Sequence, residues 1–352
     1  MNKFFRYFFI GIILPLLVQY VVYFQFTPNY TQDLFSEKSF VNFYGKSVYQ
    51  SRQLGKQIHL WVYHKIAATK KMQEIKSNPY NSRRLLHLDA QADPVFYLTY
   101  FFLACVFTVL FSLVLLLLLD DKLLVAGWSN DVIVCLLVVL IGLTQFVVTP
   151  YDNPGYFFQA VGMLTFLKYY KTGRSLYYLL LLFIIVLATI NRETSLLLLS
   201  FMAAIYYCVH GIKWQWIKKM VLPVLCFVTP YLLLKLATAK GATFTDSSQL
   251  LLNLNLFNFY TLAGLAFAAF AFYFVLTTSN PQKTPLAKAF LVFSLPYIII
   301  IPTVGLMVEY RLWIPIIIGG VVLSALNFTS LKRQQNEKLG NSKEVYETET
   351  TG

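Results

Sequence analysis

The stretch LATINRETSLLLL (Leu187–Leu199) places Asn191, Arg192, Glu193 and Thr194 together between two apolar runs. Charges beside lipid are costly, and ionisable residues at membrane depth face a bundle interior or a wet cavity rather than lipid. The flanking runs are long enough to belong to membrane helices. The four residues between them therefore read as a polar junction where one helix ends and the next begins.

The rest of the chain supports that frame. Of 352 residues, 57% are hydrophobic and only 13% are charged, against about 25% charged in soluble domains. Several apolar runs approach the roughly 20 residues that span a bilayer. The fold expected is an all-α polytopic membrane protein of ten transmembrane helices. Their approximate limits are 7–26, 95–119, 131–149, 154–170, 175–190, 194–210, 220–237, 256–278, 288–307 and 312–328. Residues 1–328 read as a single membrane domain, 27–94 as its long outer loop, and 329–352 as a disordered cytoplasmic tail rich in polar residues. The first run follows Lys3 and Arg6 and has no small-residue cleavage site, so it reads as an uncleaved signal-anchor helix.

The net charge of +13 does not point to nucleic acid, because the basic residues fall mainly in loops between apolar runs. With the N-terminus in the cytoplasm, the inner segments hold fifteen Lys and Arg. The short outer turns hold four: Arg192, Lys235, Lys240 and Arg311. That asymmetry follows the positive-inside rule and sets both termini inside. Cys105, Cys135, Cys208 and Cys226 lie in apolar runs and show no disulfide or zinc spacing. No resident metal or cofactor is called for.

In this topology the polar clusters with acidic or basic residues face outward. TPYDNPG (Thr149–Gly155) follows the third run, NRET the fifth, TDSSQ (Thr245–Gln249) the seventh, and VEYR (Val308–Arg311) the ninth. Each has a bland reading. Asp152 or Asn153 can cap the next helix with Pro154 in its first turn, and Glu193 can favour a helix N-terminus through the dipole. Glu309 and Arg311 can staple two helices. Each also has a functional reading, since carboxylates and guanidinium groups on one side of a membrane can bind and activate a polar ligand. Capping does not require Arg192.

In the long loop, YGKSVYQSRQLGKQIHLWVYHKIAATKK (Tyr44–Lys71) carries Leu54, Ile58, Trp61 and Val62 at helical spacing, with Lys56, His59 and Lys70 off that stripe. It reads as an amphipathic helix on the outer leaflet. Arg52, Lys56 and His59 are its candidates for an anionic lipid head group, Arg because its planar fork suits phosphate. Asp33 and Glu37 lie just past the first run.

This order of parts resembles the multispanning C-type (GT-C) glycosyltransferases and their poorly characterised bacterial branch. YQSRQLGKQI (Tyr49–Ile58) is similar to a Y-x-x-R-x-L stretch of their first loop, and NRETSLLL (Asn191–Leu198) to their R/K-E-T stretch. The resemblance implies sugar transfer from a polyprenyl-phosphate carrier to a glycan or lipid acceptor on the outer face of a bacterial inner membrane. Asp33 is then the positional match for a general base, with Asp152 and Glu193 as further catalytic candidates. Arg52, Lys56, Tyr151, Arg192, Glu309 and Arg311 become the substrate-binding candidates. No Asp-Glu or Asp-Asp pair follows the first run, which departs from the better-known members. A transporter or flippase of a lipid-linked glycan and a non-enzymatic assembly subunit are the competing readings.

Overall fold

The computed structural model describes residues 2–25, 34–46, 48–77, 80, 83, 86, 88, 89, 91–120, 128–145, 147–238, 249–255, 257–277 and 284–327. Asp33, residues 245–248 of the third outer cluster, and the tail from 328 onward lie outside them.

The architecture is helical throughout, with no strand among the described residues. In chain order the helices are α1 (Lys3–Gln25), α2 (Glu37–Lys46), α3 (Gln53–Ala67), α4 (Lys70–Ser77), α5 (Pro94–Asp120), α6 (Trp128–Thr144), α7 (Asp152–Thr172) and α8 (Ser175–Asn191). Then come α9 (Leu196–His210), α10 (Trp214–Thr238), α11 (Leu250–Leu254), α12 (Phe259–Thr277), α13 (Thr284–Phe293), α14 (Leu295–Val304) and α15 (Ile314–Ala325). Short 3₁₀ turns at Val48–Ser51, Glu193–Ser195 and Tyr310–Leu312 precede α3, α9 and α15.

Five helical segments are long and apolar enough to cross a membrane, and six if α13 and α14, bent by 50° at their junction, form one broken span. The chain is thus a multi-pass membrane protein. Each of the ten predicted intervals contains a helix or the bent pair, but α6, α8 and α15 are short for a full crossing and α7 is not apolar enough to count as one, so five or six crossings rather than ten meet both criteria among the described residues.

Two cores organise the bundle. The larger joins α5, α6, α7, α9, α13 and α15 through Phe111, Val138, Phe166, Phe201, Phe290 and Ile317, each with no exposed surface. Between helices in lipid, close packing replaces the hydrophobic effect, so small residues matter. Gly142 of α6 is such a site, for a Cβ there would run into Val18 of α1. The second core is aromatic and lies under the first loop: Tyr23, Phe35, Phe40, Tyr44, Tyr63, Phe96, Tyr97, Tyr100 and Tyr151.

That second core corrects the reading of the loop helix. The buried face of α3 is Gly55, His59 and Tyr63, packed on α5 and α8. Trp61 of the expected apolar stripe is 63% exposed. His59, expected on the polar side, has no exposed surface and neither ring nitrogen has a partner among the described residues. It is stacked among Phe40, Phe96 and Tyr100. Burial pushes its imidazole down to about 3, so it sits there neutral. It is not available to bind a head group.

Candidate functional site

Three of the four polar clusters, TPYDNPG, NRET and VEYR, converge where α7, α8 and α15 begin or end, beneath the first loop. Helix α8 stops at Asn191 because Arg192 takes an extended backbone, φ −164° and ψ 144°. This break turns the Arg192 side chain toward the start of α7. There Arg192 Nη1 pairs with Asp152 Oδ1. The other carboxylate oxygen, Oδ2, accepts from Arg311 Nη1 at 3.2 Å. Asp152 has no exposed surface, and Arg192 is 2% exposed.

Asp152 is therefore not a cap. Tyr151 holds the N-cap position of α7 and makes no side-chain cap bond. Nor do Asn191 and Thr194 cap α9, whose N-cap is Ser195. Asn191 instead donates Nδ2–H to the Tyr151 carbonyl at 2.8 Å and locks the α8 end onto the α7 turn. Asn153 accepts from Gln145 Nε2 at 3.2 Å, and Tyr23 donates to Gln145 Oε1 at 3.1 Å.

Two further ion pairs flank this centre. Arg52, just before α3, makes a two-pronged pair with Glu193: Nε reaches Oε2 at 3.1 Å and Nη2 meets Oε1. Its guanidinium also lies 4.5 Å from the Tyr151 ring centroid and 5.0 Å from that of Tyr49. Arg192 approaches the Tyr151 ring at 5.5 Å. On the other flank, Arg311 donates from Nη2 and Nε to Glu309 Oε2 at 2.9 and 3.2 Å. Burial opposes the charge of Arg311, but Asp152, Tyr151 and Glu309 outweigh it and hold the group above its ordinary range. At Arg52 burial is likewise outweighed, chiefly by Glu193.

The approach of α3 is set by Gly55. A Cβ there would strike the Pro150 carbonyl and come within 2.9 Å of Asn191 Oδ1. Only a residue without a side chain lets α3 lie this close and bring Arg52 to Glu193.

Among the described residues, two cavities border the cluster. One, of about 640 Å³, is lined by Thr144, Val147, Leu252, Tyr260, Leu306, Val308 and Tyr310. The other, of about 270 Å³, is lined by Leu34, Phe43, Tyr44, Tyr49, Val148, Thr149 and Tyr151. Both include Glu309 and Arg311. Chemically, the site offers guanidinium donors at the seam between an apolar and an aromatic chamber.

Of the expected site residues, Arg52, Tyr151, Asp152, Arg192, Glu193, Glu309 and Arg311 are brought together. Lys56 is on α3 and joins no ion pair among the described residues, and Asp33 lies outside them. Sequence reasoning missed Tyr44 and Tyr49, Gly55 and Asn191. Tyr49 stood in the quoted loop motif three residues before Arg52, and that spacing was the available signal. No cluster of three or more His, Cys, Asp or Glu suited to a metal occurs among the described residues. No family model, characterised protein or solved structure matches the chain.

Proposed function

We propose that this protein transfers a sugar from a polyprenyl-phosphate carrier to a glycan or lipid acceptor at the outer face of a bacterial inner membrane. It would do so with ten spans, both termini cytoplasmic and α3 lying on the outer leaflet. The observation that carries the reading is the position of Arg311 and Glu309 at the seam of an apolar and an aromatic cavity, backed by the buried Asp152 and Arg192. A lipid-linked sugar has this polarity: an apolar chain, then a phosphate, then a ring that stacks on aromatics. Exposed apolar residues at Leu251, Leu254 and Phe257, next in sequence to residues of the larger cavity, suit its opening toward lipid.

In this reading the roles are divided by burial. Asp152 has no exposed surface and both oxygens are held by arginines, so it fixes Arg192 and Arg311. A base must come within hydrogen-bond reach of the proton it takes. Glu193 and Glu309 keep exposed side-chain surface, 33% and 21%, and meet that requirement better. The arginines stabilise charge on the phosphate as the sugar leaves.

The test is a transfer assay in proteoliposomes with a panel of polyprenyl-phosphate hexoses, read by release of polyprenyl phosphate. The proposal expects release from at least one, lost in Arg192→Ala and Glu193→Gln. Failure with every donor, or full activity in both variants, would sink it. One feature favours a flippase instead: α13 and α14 meet at a 50° bend beside Ser294, whose buried hydroxyl has no partner among the described residues, and broken helices are common where transporters bind their cargo. Translocation of a labelled lipid-linked sugar without cleavage, in the same vesicles, would establish that reading.

A further inference from the structure

The charged site is closed on itself. Arg52, Arg192 and Arg311 face Asp152, Glu193 and Glu309, three positive groups against three negative ones. Arg311 is the arginine that lines both cavities, and its Nε and Nη2 are already on Glu309, so a phosphate that takes those two donors must displace that carboxylate.

The three carboxylates differ in how firmly they are held. Asp152 is fully buried and uses one oxygen for each of two arginines. Glu193 uses both oxygens on the fork of Arg52. Glu309 receives both bonds from Arg311 on the single oxygen Oε2. It is the one that borders both cavities together with its arginine. Arg311 would not be lost in an exchange, because its Nη1 stays on Asp152 while Nε and Nη2 change partners. Asp152 thus makes Arg311 a fixed arm with a movable far side.

We infer that Glu309 is a displaceable carboxylate: a lipid phosphodiester takes its place on Arg311 Nε and Nη2, and the freed Glu309 becomes the general base in the aromatic cavity. This rests on the sugar-transfer reading and assigns its base and its order of events. With the donor absent, Arg311 neutralises the base. With the donor bound, Glu309 accepts the proton of the acceptor hydroxyl as that oxygen attacks the sugar carbon. The bond from that carbon to the phosphate oxygen breaks, and the electron pair stays on the phosphate. The products are the glycosylated acceptor, protonated Glu309 and a polyprenyl monophosphate whose added charge faces Arg311.

The experiment measures binding of a short-chain polyprenyl monophosphate to the full-length protein in nanodiscs, with polyprenol and inorganic phosphate as controls. Glu309→Gln removes the competing charge and keeps the shape. The inference expects it to bind the lipid phosphate about tenfold tighter than wild type, the scale of one released charge-assisted hydrogen bond, while transfer falls to background. Glu309→Ala is the second variant, with the same tightening expected, and Arg311→Ala should weaken binding. Equal affinity in wild type and both Glu309 variants, or transfer retained in Glu309→Gln, would overturn the exchange and leave the sugar-transfer reading standing. Absence of binding in wild type and variants alike would overturn that reading as well. Competition by inorganic phosphate at the affinity of the lipid would assign the site to free phosphate and overturn the lipid ligand.

Discussion

Two ion networks stand at opposite ends of α5, and they are built differently. At the end marked by Asp120, Lys3 Nζ reaches that carboxylate at 3.2 Å, Arg6 Nη1 reaches it at 3.0 Å, and Tyr7 donates to it at 2.6 Å. Arg6 Nε also reaches Asp131 at 3.1 Å. These groups tie the start of α1 to the end of α5 and the start of α6. They remain in contact with solvent, with Lys3 72% exposed, and no residue of the network lines either large cavity. At the other end, Asp152 and Arg192 are sealed off, and one of the two flanking pairs, Arg311 and Glu309, opens onto two cavities. A staple between helices needs only the first kind of network. Burial of unlike charges beside cavities is expensive to maintain, and that expense distinguishes a site from a staple.

The comparison can be broken by substitution. Asp152→Asn leaves Arg192 and Arg311 buried without their shared carboxylate. Loss of one partner from a buried pair costs about 3–5 kcal/mol, so the thermal midpoint in detergent should fall by far more than for any change at Asp120. A fall no greater than that of Asp120→Asn would erase the distinction.

Next in size is Gly55→Ala, which adds one methyl group against the Pro150 carbonyl and changes no charge. Overpacking of this kind costs about 1–3 kcal/mol. Displacement of α3 should also separate Arg52 from Glu193, so the effect on the proposed sugar transfer should exceed the effect on stability. A variant with wild-type activity would show that α3 does not position the site.

His59 gives a pH test of the core beneath the loop. Its folded pKa is depressed to about 3 by burial, from an ordinary value of 6.5. The unfolded chain therefore binds a proton in this window that the folded chain does not, and stability falls as pH drops from 6.5 toward 3. The slope is at most about 1.4 kcal/mol per pH unit for one group. His59→Phe should flatten that part of the unfolding profile, and an unchanged slope would remove His59 as its source.

The smallest effect belongs to the staple. Asp120→Asn should lower stability by about 1 kcal/mol or less, as for other partly exposed pairs, and leave transfer unchanged. A large loss of transfer would mean that the two ends of α5 are coupled.

Much of this arrangement was legible in the residues before any coordinates. Long apolar runs declare helices because only closed backbone hydrogen bonding survives in lipid, and each expected interval holds a helix. Arg192, Glu193, Glu309 and Arg311 drew attention because charges at helix ends in a membrane need a reason, and they do meet in space. Other features were not legible. The hydrophobic stripe on α3 pointed to Leu54, Ile58 and Trp61, yet the bundle took the Gly55–His59–Tyr63 face. A lone helix in contact with both lipid and protein has two apolar environments, and periodicity does not say which face meets which. Lys3 and Arg6 read as orientation charges alone, because Asp120 and Asp131 are far away in the chain.

The sequence by itself determined the class of the protein, the places where helices break, and the residue types gathered at those breaks. These are local properties: hydropathy against the thickness of a bilayer, and the cost of charge next to it. Only the tertiary structure decided which charge meets which. Asp152 had several arginines within reason and received two of them, because Asn191 pins α8 to the α7 turn and Gly55 admits α3. Partner choice among buried charges depends on helix packing across more than a hundred residues of chain, from Arg52 to Glu193 and from Asp152 to Arg311, and spacing along the chain does not encode it.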